Sequence, residues 1–414
     1  MKSRGRPVQA KLVDADGRTR RLLLKTAIAA VCSPSTSTLA DNTEPDNRPL
    51  SELEKSSRHL FISGARRPTD QHVAVVFDEN GNTLVTVPLT ARAHGAAAHQ
   101  TTQRACLFAR RPGLYINAFD IRTPQTHQII LPAQGRHYYG HGTFSDAGNI
   151  LFVTENDFDG ARGVIGLYDA DNGYQRLTEI PSAGTGPHEI IRIPGSPLLV
   201  VANGGIETHP NSGRDKLNIA SMHPSLSIID SRDGRLLGQH FLPDSLHQMS
   251  IRHLACTAND EVWFAGQYEG TDPLIDGLAG VISIEKSVNS FQLGKSRTGL
   301  TLIDLPADLQ VRCLHYLSSV AVAGQHAIYT SAKGGLSFRV NRHTRQVEDS
   351  VSVFDCSGVA PLPHSATNNA MQAPATAAAL LTTGTGEILR FDESGTTHMR
   401  THNLQWDNHV YQIA

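Results

Sequence analysis

The sequence lacks the motifs of the common enzyme classes. It contains no GxSxG nucleophile elbow, phosphate-binding loop, dinucleotide-binding fingerprint or HExxH zinc motif, so hydrolase, kinase, dehydrogenase and metalloprotease mechanisms have no support. An excess of charge is also missing, with 37 Lys and Arg against 39 Asp and Glu. Because nucleic acids and anionic membranes attract basic proteins, neither is an expected partner. The expected partners are small molecules, ions or other proteins.

Long stretches of helical periodicity are absent as well. Beyond residue 57 the chain consists of short alternating or apolar runs separated by Gly, Asp, Asn and Pro, which predicts an all-β protein. Four cysteines in this part, Cys106, Cys256, Cys313 and Cys356, show no CxxC spacing and lie mostly in apolar runs. Two interpretations stay open for them, namely disulfides formed in an oxidising compartment and buried free thiols.

The N-terminal residues resemble an export signal. The pair Arg20-Arg21 precedes a short apolar run at residues 26–32 and a stretch that ends at Ala40, as in twin-arginine signals. We therefore expect a signal at residues 1–40, a disordered linker at 41–57, one domain at 58–414 and a periplasmic location. The apolar run is too short for a permanent membrane helix, so no stable membrane span is expected.

A repeat of about four strand-like runs divides the remaining chain. Its units begin at His94, His141, His188 and His253, at intervals of 47, 47 and 65 residues, and the last interval contains an insertion at residues 207–223 that resembles a lid or an ordinary surface loop. Weaker copies begin near residues 318 and 357. Four strands in about 47 residues match the size of a propeller blade.

The two ends of the chain supply one more unit. Residues 60–64, 72–77 and 83–89 match the second, third and fourth runs of a unit, and residues 408–413 match the missing first run. A blade shared between both ends closes the ring and removes unpaired sheet edges. The sequence thus predicts an all-β, seven-bladed β-propeller closed by a blade shared between the N- and C-terminal segments.

Histidines begin the first run of five units. Because the first strand of a blade is the innermost, we expect a layer of imidazoles at one mouth of the central channel, formed by His94, His141, His188, His253 and His409. Converging imidazoles suit a transition metal ion, with iron and copper as the candidates. The alternatives are histidines that only hydrogen-bond neighbouring strands, and histidines that bind an organic ligand or act in acid-base catalysis.

A polar collar is predicted next to this layer. It is a candidate cofactor-binding or small-molecule site, and its members are Arg110, Glu155, Asn203, Arg252 and Gln267. Arg252 is expected either to hold an anionic ligand or to pair with Glu155 or Glu189.

Several motifs resemble those of a family of bacterial exported proteins, the domain of unknown function 1513 family. The resemblance runs from about His59 to the C-terminus, and its motifs are RACLFARRPG at 104–113, RHYYGHG at 136–142, TEND at 154–157, GPH at 186–188, VANGGI at 201–206, PSL at 224–226, SIRHL at 250–254 and DCSGV at 355–359. The family is similar to YVTN-type propellers, and its members tend to be encoded beside imelysin-type iron-binding lipoproteins and haem-containing oxidase-like proteins. The resemblance implies a role in periplasmic iron or copper handling, with iron-handling proteins as partners. The family has no established activity, so the resemblance implies no catalytic role for any residue of this chain.

Three functional hypotheses follow. The first is a periplasmic metal-binding propeller that takes part in iron or copper acquisition, by holding the ion or by docking onto metal-handling partners. The second is a lactonase- or lyase-like enzyme in which a channel imidazole acts as base and Arg252 or Arg110 steadies an anion. Residues 186–188 and 200–205 weakly resemble lactonase-type propellers. The third is an interaction scaffold without a small-molecule site.

Overall fold

The computed structural model describes residues 59–257, 261–284, 299–362 and 378–413. Strands dominate these residues and form seven antiparallel sheets of four strands each. In chain order they are β1 (Leu60–Arg66), β2 (His72–Asp78), β3 (Thr83–Pro88), β4 (Ala93–His99), β5 (Arg104–Ala109), β6 (Ile116–Asp120), β7 (His127–Ile130), β8 (Arg136–Phe144), β9 (Ile150–Asp157), β10 (Arg162–Asp169), β11 (Gln175–Pro181), β12 (Pro187–Arg192), β13 (Leu198–Asn203), β14 (Ser225–Asp230), β15 (Leu236–Phe241), β16 (Met249–Cys256), β17 (Glu261–Tyr268), β18 (Ala279–Ser283), β19 (Leu300–Leu302), β20 (Ser319–Ala323), β21 (His326–Ser331), β22 (Leu336–Asn341), β23 (Val347–Ser352), β24 (Cys356–Leu362), β25 (Ala378–Thr383), β26 (Glu387–Asp392), β27 (Gly395–Thr401) and β28 (Gln405–Gln412).

Each sheet is one blade of a propeller. Six blades use four consecutive strands, from β4-β5-β6-β7 to β24-β25-β26-β27, and the seventh has the order β28-β1-β2-β3. We call this shared blade blade 1 and number the others 2 to 7 in chain order. The prediction of a seven-bladed propeller closed by strands from both ends of the chain is confirmed.

The strands differ in burial according to their position in the blade. All six residues of β13, the second strand of blade 4, are buried, because both faces of an inner strand pack against neighbouring blades. The outermost strand β23 instead alternates between half-buried and exposed residues. Inner strands therefore read as continuous apolar runs and outer strands as alternating ones, which is the pattern that defined the repeat.

The closing strand is held by pairing and by burial. In the ladder between β28 and β1, Phe61 lies opposite Gln412 and Arg66 lies opposite Gln405. The hydroxyl of Ser63 donates a hydrogen bond of 2.7 Å to the carbonyl oxygen of His409. The side chain of Trp406 is only 3% exposed and its ring lies 5.2 Å from that of Phe77.

The connections contain little regular structure. One α-helix, α1 (Ala307–Cys313), precedes blade 6 in the described chain, and short 3-10 turns lie at Pro210–Ser212, Ile219–Ser221 and Asp244–Leu246. The insertion at 207–223 is fixed at its base, where the Asn218 side chain accepts a hydrogen bond from the backbone N–H of Glu207 (2.7 Å) and donates one to the carbonyl oxygen of Gly205 (2.8 Å). In blade 7, β24 and β25 pair with Leu362 opposite Ala378, on either side of residues outside the described ranges.

No disulfide joins the four cysteines of the described chain. Burial raises the pKa of Cys106 to about 12 and that of Cys313 to about 12. Of the two interpretations, disulfides among these four cysteines are therefore wrong, and the thiols of Cys106, Cys313 and Cys356 are buried as the other interpretation expects. No helix in the described ranges is both long and apolar enough to cross a membrane. The predicted signal at 1–40 and linker at 41–57 lie outside the described residues and stay predictions.

Candidate functional site

The inner strands of five blades bring the five predicted histidines together. His94 lies on β4, His141 on β8, His188 on β12, His253 on β16 and His409 on β28. The closest ring centroids, those of His253 and His409, are 4.3 Å apart, and those of His94 and His253 are 6.3 Å apart. The imidazoles therefore form one cluster, which we call the histidine layer.

β-Bulges accompany all five histidines. In blade 2 the pairing of β4 with β5 shifts between Ala93 and Ala96, a stretch that contains His94. Corresponding shifts enclose the histidines of blades 1, 3 and 4, and the shift in blade 5 immediately precedes His253. A bulge redirects a side chain and ends regular pairing, which explains how these side chains reach the channel.

A glycine makes room for the layer. Gly140 has a φ of 101°, and a Cβ atom there would lie 2.7 Å from the His94 ring. Any other residue would combine an unfavourable backbone conformation with a steric clash. We conclude that the glycine before His141 permits the ring of the preceding blade to approach.

Several imidazole nitrogens are buried without a protein partner. Among the described residues, no hydrogen-bond partner is found for Nδ1 of His94 or for Nε2 of His141, His188 and His409. Their ligand atoms converge in two groups, His94 with His141 and His188, and His141 with His253 and His409, and within each group the atoms lie within 4.8 Å of one another. Buried polar atoms are normally paired, so these nitrogens are candidates for binding a ligand.

One buried carboxylate orients the layer. Glu189 accepts hydrogen bonds from Nδ1 of His253 (3.2 Å) and from the backbone N–H of Leu254 (2.9 Å), and it lies 3.5 Å from Nδ1 of His141. The Tyr411 hydroxyl is 3.1 Å from the same His141 nitrogen. Contacts of this kind at Nδ1 leave Nε2 available, as in metal sites where a carboxylate fixes the histidine ring.

The surroundings favour the neutral form of four of the histidines and the charged form of Glu189. Burial, followed by the neighbouring imidazoles, lowers the pKa of His94, His188 and His409 well below the usual value. Burial also lowers the pKa of His253 to about 4, although Glu189 opposes the shift. Burial alone would raise the pKa of Glu189, but His141 and His253 outweigh it and the pKa is lowered. Neutral imidazole is the form that binds metal.

The five residues of the predicted collar fall into two groups, of which only one lines a cavity. Arg110, Arg252 and Gln267 line a cavity at the mouth of the channel together with three residues of the histidine layer, His94, His188 and His253. Arg252 pairs with Glu269 (3.0 Å), so the expected pairing with Glu155 or Glu189 is wrong.

The other two collar residues are used inside their blades. Glu155 is fully buried within β9 and accepts hydrogen bonds from Tyr168 (2.6 Å) and Arg176 (2.8 Å). Asn203 ends β13 and donates to the hydroxyl of Ser227 (2.9 Å) and the carbonyl oxygen of Ser182 (3.0 Å). Neither lines the cavity, because these hydrogen bonds hold both side chains against their own sheets.

Three contributors were not predicted as site residues. Glu189 follows His188 directly, and the alternation of a regular strand would place it on the opposite face, so only the bulge brings it into the layer. Tyr411 lies two residues after His409, a spacing that could have indicated a shared face. Ser319, whose hydroxyl is 3.4 Å from Nδ1 of His409, belongs to a blade without a histidine at this position.

Comparison with known proteins agrees with the fold. The chain is similar to Kuenenia stuttgartiensis hydrazine synthase, with 12% identity, a TM-score of 0.52 and coverage of 80% of this chain and 89% of that chain. It is also similar to the β-propeller domain of Myceliophteria thermophila Cps50 (Swd1), with 10% identity, a TM-score of 0.51 and coverage of 77% and 91%. At these identities the likeness shows the fold alone. No curated protein matches the sequence. The family model described as "Protein of unknown function (DUF1513)" matches residues 87–413, and the chain belongs to this family.

Proposed function

We propose that this propeller binds a transition metal ion, iron or copper, in the histidine layer and takes part in periplasmic metal acquisition. The observation that carries the proposal is the convergence of five imidazoles from five blades, with buried nitrogens that lack protein partners. Imidazole suits both metals. The role of Glu189 and Tyr411 would be to hold the rings of His253 and His141 in the orientation that presents Nε2.

A purely structural role for the histidines fits these contacts less well. Histidines retained only to connect strands would use both ring nitrogens or leave one in water, whereas Nε2 of His141, His188 and His409 is buried and unpartnered within the described structure. Each such atom costs stability unless a ligand compensates for it. The donor atoms of each group lie within 4.8 Å of one another, so one ion could be bound by all three imidazoles of a group with only small movements of the rings.

Metal binding is tested by equilibrium dialysis of the purified protein against Cu²⁺, Zn²⁺ and Fe²⁺. Because His141 belongs to both groups of donors, His141→Ala should weaken binding by roughly 100-fold or more, given that even the loss of an outer partner costs about 10–100-fold. The matched control is His343→Ala, which changes an exposed histidine beyond β22. It should bind the ion as the wild-type protein does.

The competing structural role predicts a different result. His141→Ala would then lower stability by about 1–3 kcal/mol through partners left unpaired, and the wild-type protein would bind none of the three ions above the level of a control protein. That second observation would overturn the proposal and favour the scaffold hypothesis.

The periplasmic location rests on the paired arginines of the N-terminus, and its test is export. Arg20→Lys with Arg21→Lys should keep the protein in the cytoplasm, because the signal is read by a receptor and positive charge alone does not replace it. Cell fractionation and immunoblotting measure the distribution, with Arg4→Lys as the control. Unchanged periplasmic recovery of the double variant would exclude the twin-arginine route.

A lactonase- or lyase-like activity remains the second candidate. It is favoured by one observation, the presence of His188 in the same cavity as Arg110 and Arg252, since a neutral imidazole can accept a proton while guanidinium groups steady an anion. Turnover of lactones by metal-free protein, lost in His188→Ala, would support it. The absence of such turnover would leave the metal proposal unaffected.

A further inference from the structure

The cavity above the histidine layer has an unusual charge. Its volume is 390 Å³, and seven basic side chains line it, namely Arg92, Arg110, Arg111, Arg214, Lys216, Arg252 and Lys333. Three carboxylates oppose them, Asp355 in the lining and Glu269 and Asp407, which pair with lining residues. Seven against three leaves an excess of four positive charges, in a chain whose net charge is -2.

Part of this charge has no carboxylate partner. Arg92 pairs with Asp407 (2.7 Å), and Lys216 and Arg252 share Glu269. Arg110, Arg111, Arg214 and Lys333 make no ion pair with any carboxylate of the described residues. Four unneutralised cations therefore face one cavity.

The basic groups also repel one another. Burial and the guanidinium groups of Arg92 and Arg214 lower the pKa of Arg110, and burial and Arg252 lower that of Arg111. Like charges held together in a partly desolvated cavity are unfavourable unless a counter-charge is bound. An anion in the cavity would relieve this repulsion and pair with the groups that lack partners.

The insertion at 207–223 helps to build the cavity. Arg214 donates a hydrogen bond of 2.8 Å to the backbone carbonyl of Arg111 in blade 2, and Lys216 pairs with Glu269 beyond β17 in blade 5. The insertion thus leaves blade 4, contacts blades on both sides and delivers two of the seven cations. The sequence left two interpretations of this insertion, a lid and an ordinary surface loop. This geometry favours a lid over the mouth of the channel.

We propose that this cavity binds a small polyanion that carries carboxylate or phosphate groups. The planar guanidinium of arginine, which supplies five of the seven cations, pairs with both groups through two parallel hydrogen bonds. A volume of 390 Å³ lies in the range of small-molecule sites. The polyanion would contact the arginines on one side and lie next to His94, His188 and His253 on the other.

If the histidine layer binds metal, as proposed above, the basic cavity also affects the form in which the metal reaches it. A bare cation that approaches the histidine layer through this mouth meets an excess of positive charge, whereas a complex with net negative charge is attracted. The polyanion would then be the chelator that accompanies the metal, with its oxygen atoms on the arginines and the ion toward the imidazoles.

Anion binding is tested without metal, so that failure of this proposal can be distinguished from failure of the proposed metal binding. Protein stripped of metal on a chelating resin is titrated calorimetrically with citrate, pyrophosphate and acetate at low ionic strength. Citrate or pyrophosphate should bind at least about tenfold more tightly than acetate, and affinity should fall as salt is added. The tighter of the two identifies the preferred group.

Two variants locate the site. Arg110 and Lys333 are exposed and unpaired with described carboxylates, so Arg110→Gln and Lys333→Gln should fold normally and each weaken polyanion binding roughly tenfold, the cost of one charge-assisted hydrogen bond. The control Arg235→Gln changes an exposed arginine next to β15 and should have no effect. Equal affinity for acetate and citrate, or equal affinity in all three variants, would overturn the proposal, whatever the dialysis experiments show for metal.

Discussion

Removal of residues 405–414 should abolish the folded propeller. The truncation deletes β28, exposes the backbone edge of β1 and removes the buried side chains of Trp406, Val410 and Ile413. Loss of a buried tryptophan alone costs about 3–5 kcal/mol, and total stability of a protein is about 5–15 kcal/mol. We expect no cooperative thermal transition and aggregation through the open edge, measured by circular dichroism and light scattering.

Two further measurements show whether the effect comes from opening the ring or merely from removing ten residues. A synthetic peptide of residues 405–414 added during refolding should restore the transition, because the ladder to β1 can form in trans. Trp406→Ala should lower the melting temperature strongly, whereas Thr397→Ala, in the exposed outer strand β27, should leave it unchanged. A truncated protein that melts within a few degrees of the full-length chain would contradict the role assigned to β28.

Mild acid should destabilise the metal-free protein. The pKa values of His94, His188 and His409 are lowered in the folded state, and that of His253 is about 4, whereas an unfolded histidine titrates near 6.5. Below about pH 6.5 the unfolded state therefore binds more protons, and the free energy of unfolding falls until the folded-state values are passed. For His253 alone the loss between about pH 6.5 and 4 is about 3 kcal/mol.

Urea unfolding at pH 7.5, 6.0 and 5.0 measures this effect. The protein is stripped on a chelating resin, since soluble chelators are themselves polycarboxylates that the basic cavity could bind. His188→Gln should flatten the decline because one titrating group is gone, and His343→Gln, at an exposed position, should reproduce the wild-type curve. A free energy of unfolding that stays constant from pH 7.5 to 5.0 would mean that burial does not hold His94, His188, His253 and His409 in the neutral form.

The architecture could be derived from the sequence because a propeller repeats its pattern. Histidines at intervals of 47 residues marked successive inner strands, and the incomplete first unit was completed by residues 408–413, in agreement with β28 at Gln405–Gln412. Strand ends were less accurate. The apolar runs stop before Glu155 and Gln267, but the backbone ladders continue through both residues, since pairing depends on the main chain and not on the hydrophobicity of the side chain.

The site was harder to derive, for two physical reasons. Bulges break the alternation of a strand, so the sequence alone could not place Glu189 beside His141 and His253. The basic cavity is assembled from loops of several blades, with Arg110, Arg214 and Lys333 far apart in the chain. An almost neutral composition hid this segregation of charge, because the acidic residues that balance it lie elsewhere.

The position of His409 connects the histidine layer to the closure of the ring. His409 belongs to the strand that closes the ring, whereas His141 and His253, with which it shares a group of donor atoms, belong to blades 3 and 5. An ion held by these three would fasten the closing strand across the channel, in addition to the ladder along its edge. Release of that strand, and therefore cleavage of the opened ring by proteases, would then be slower in the metal-bound protein than in the metal-free protein. The lifetime of the protein in the presence of a protease would then depend on whether the metal site is occupied.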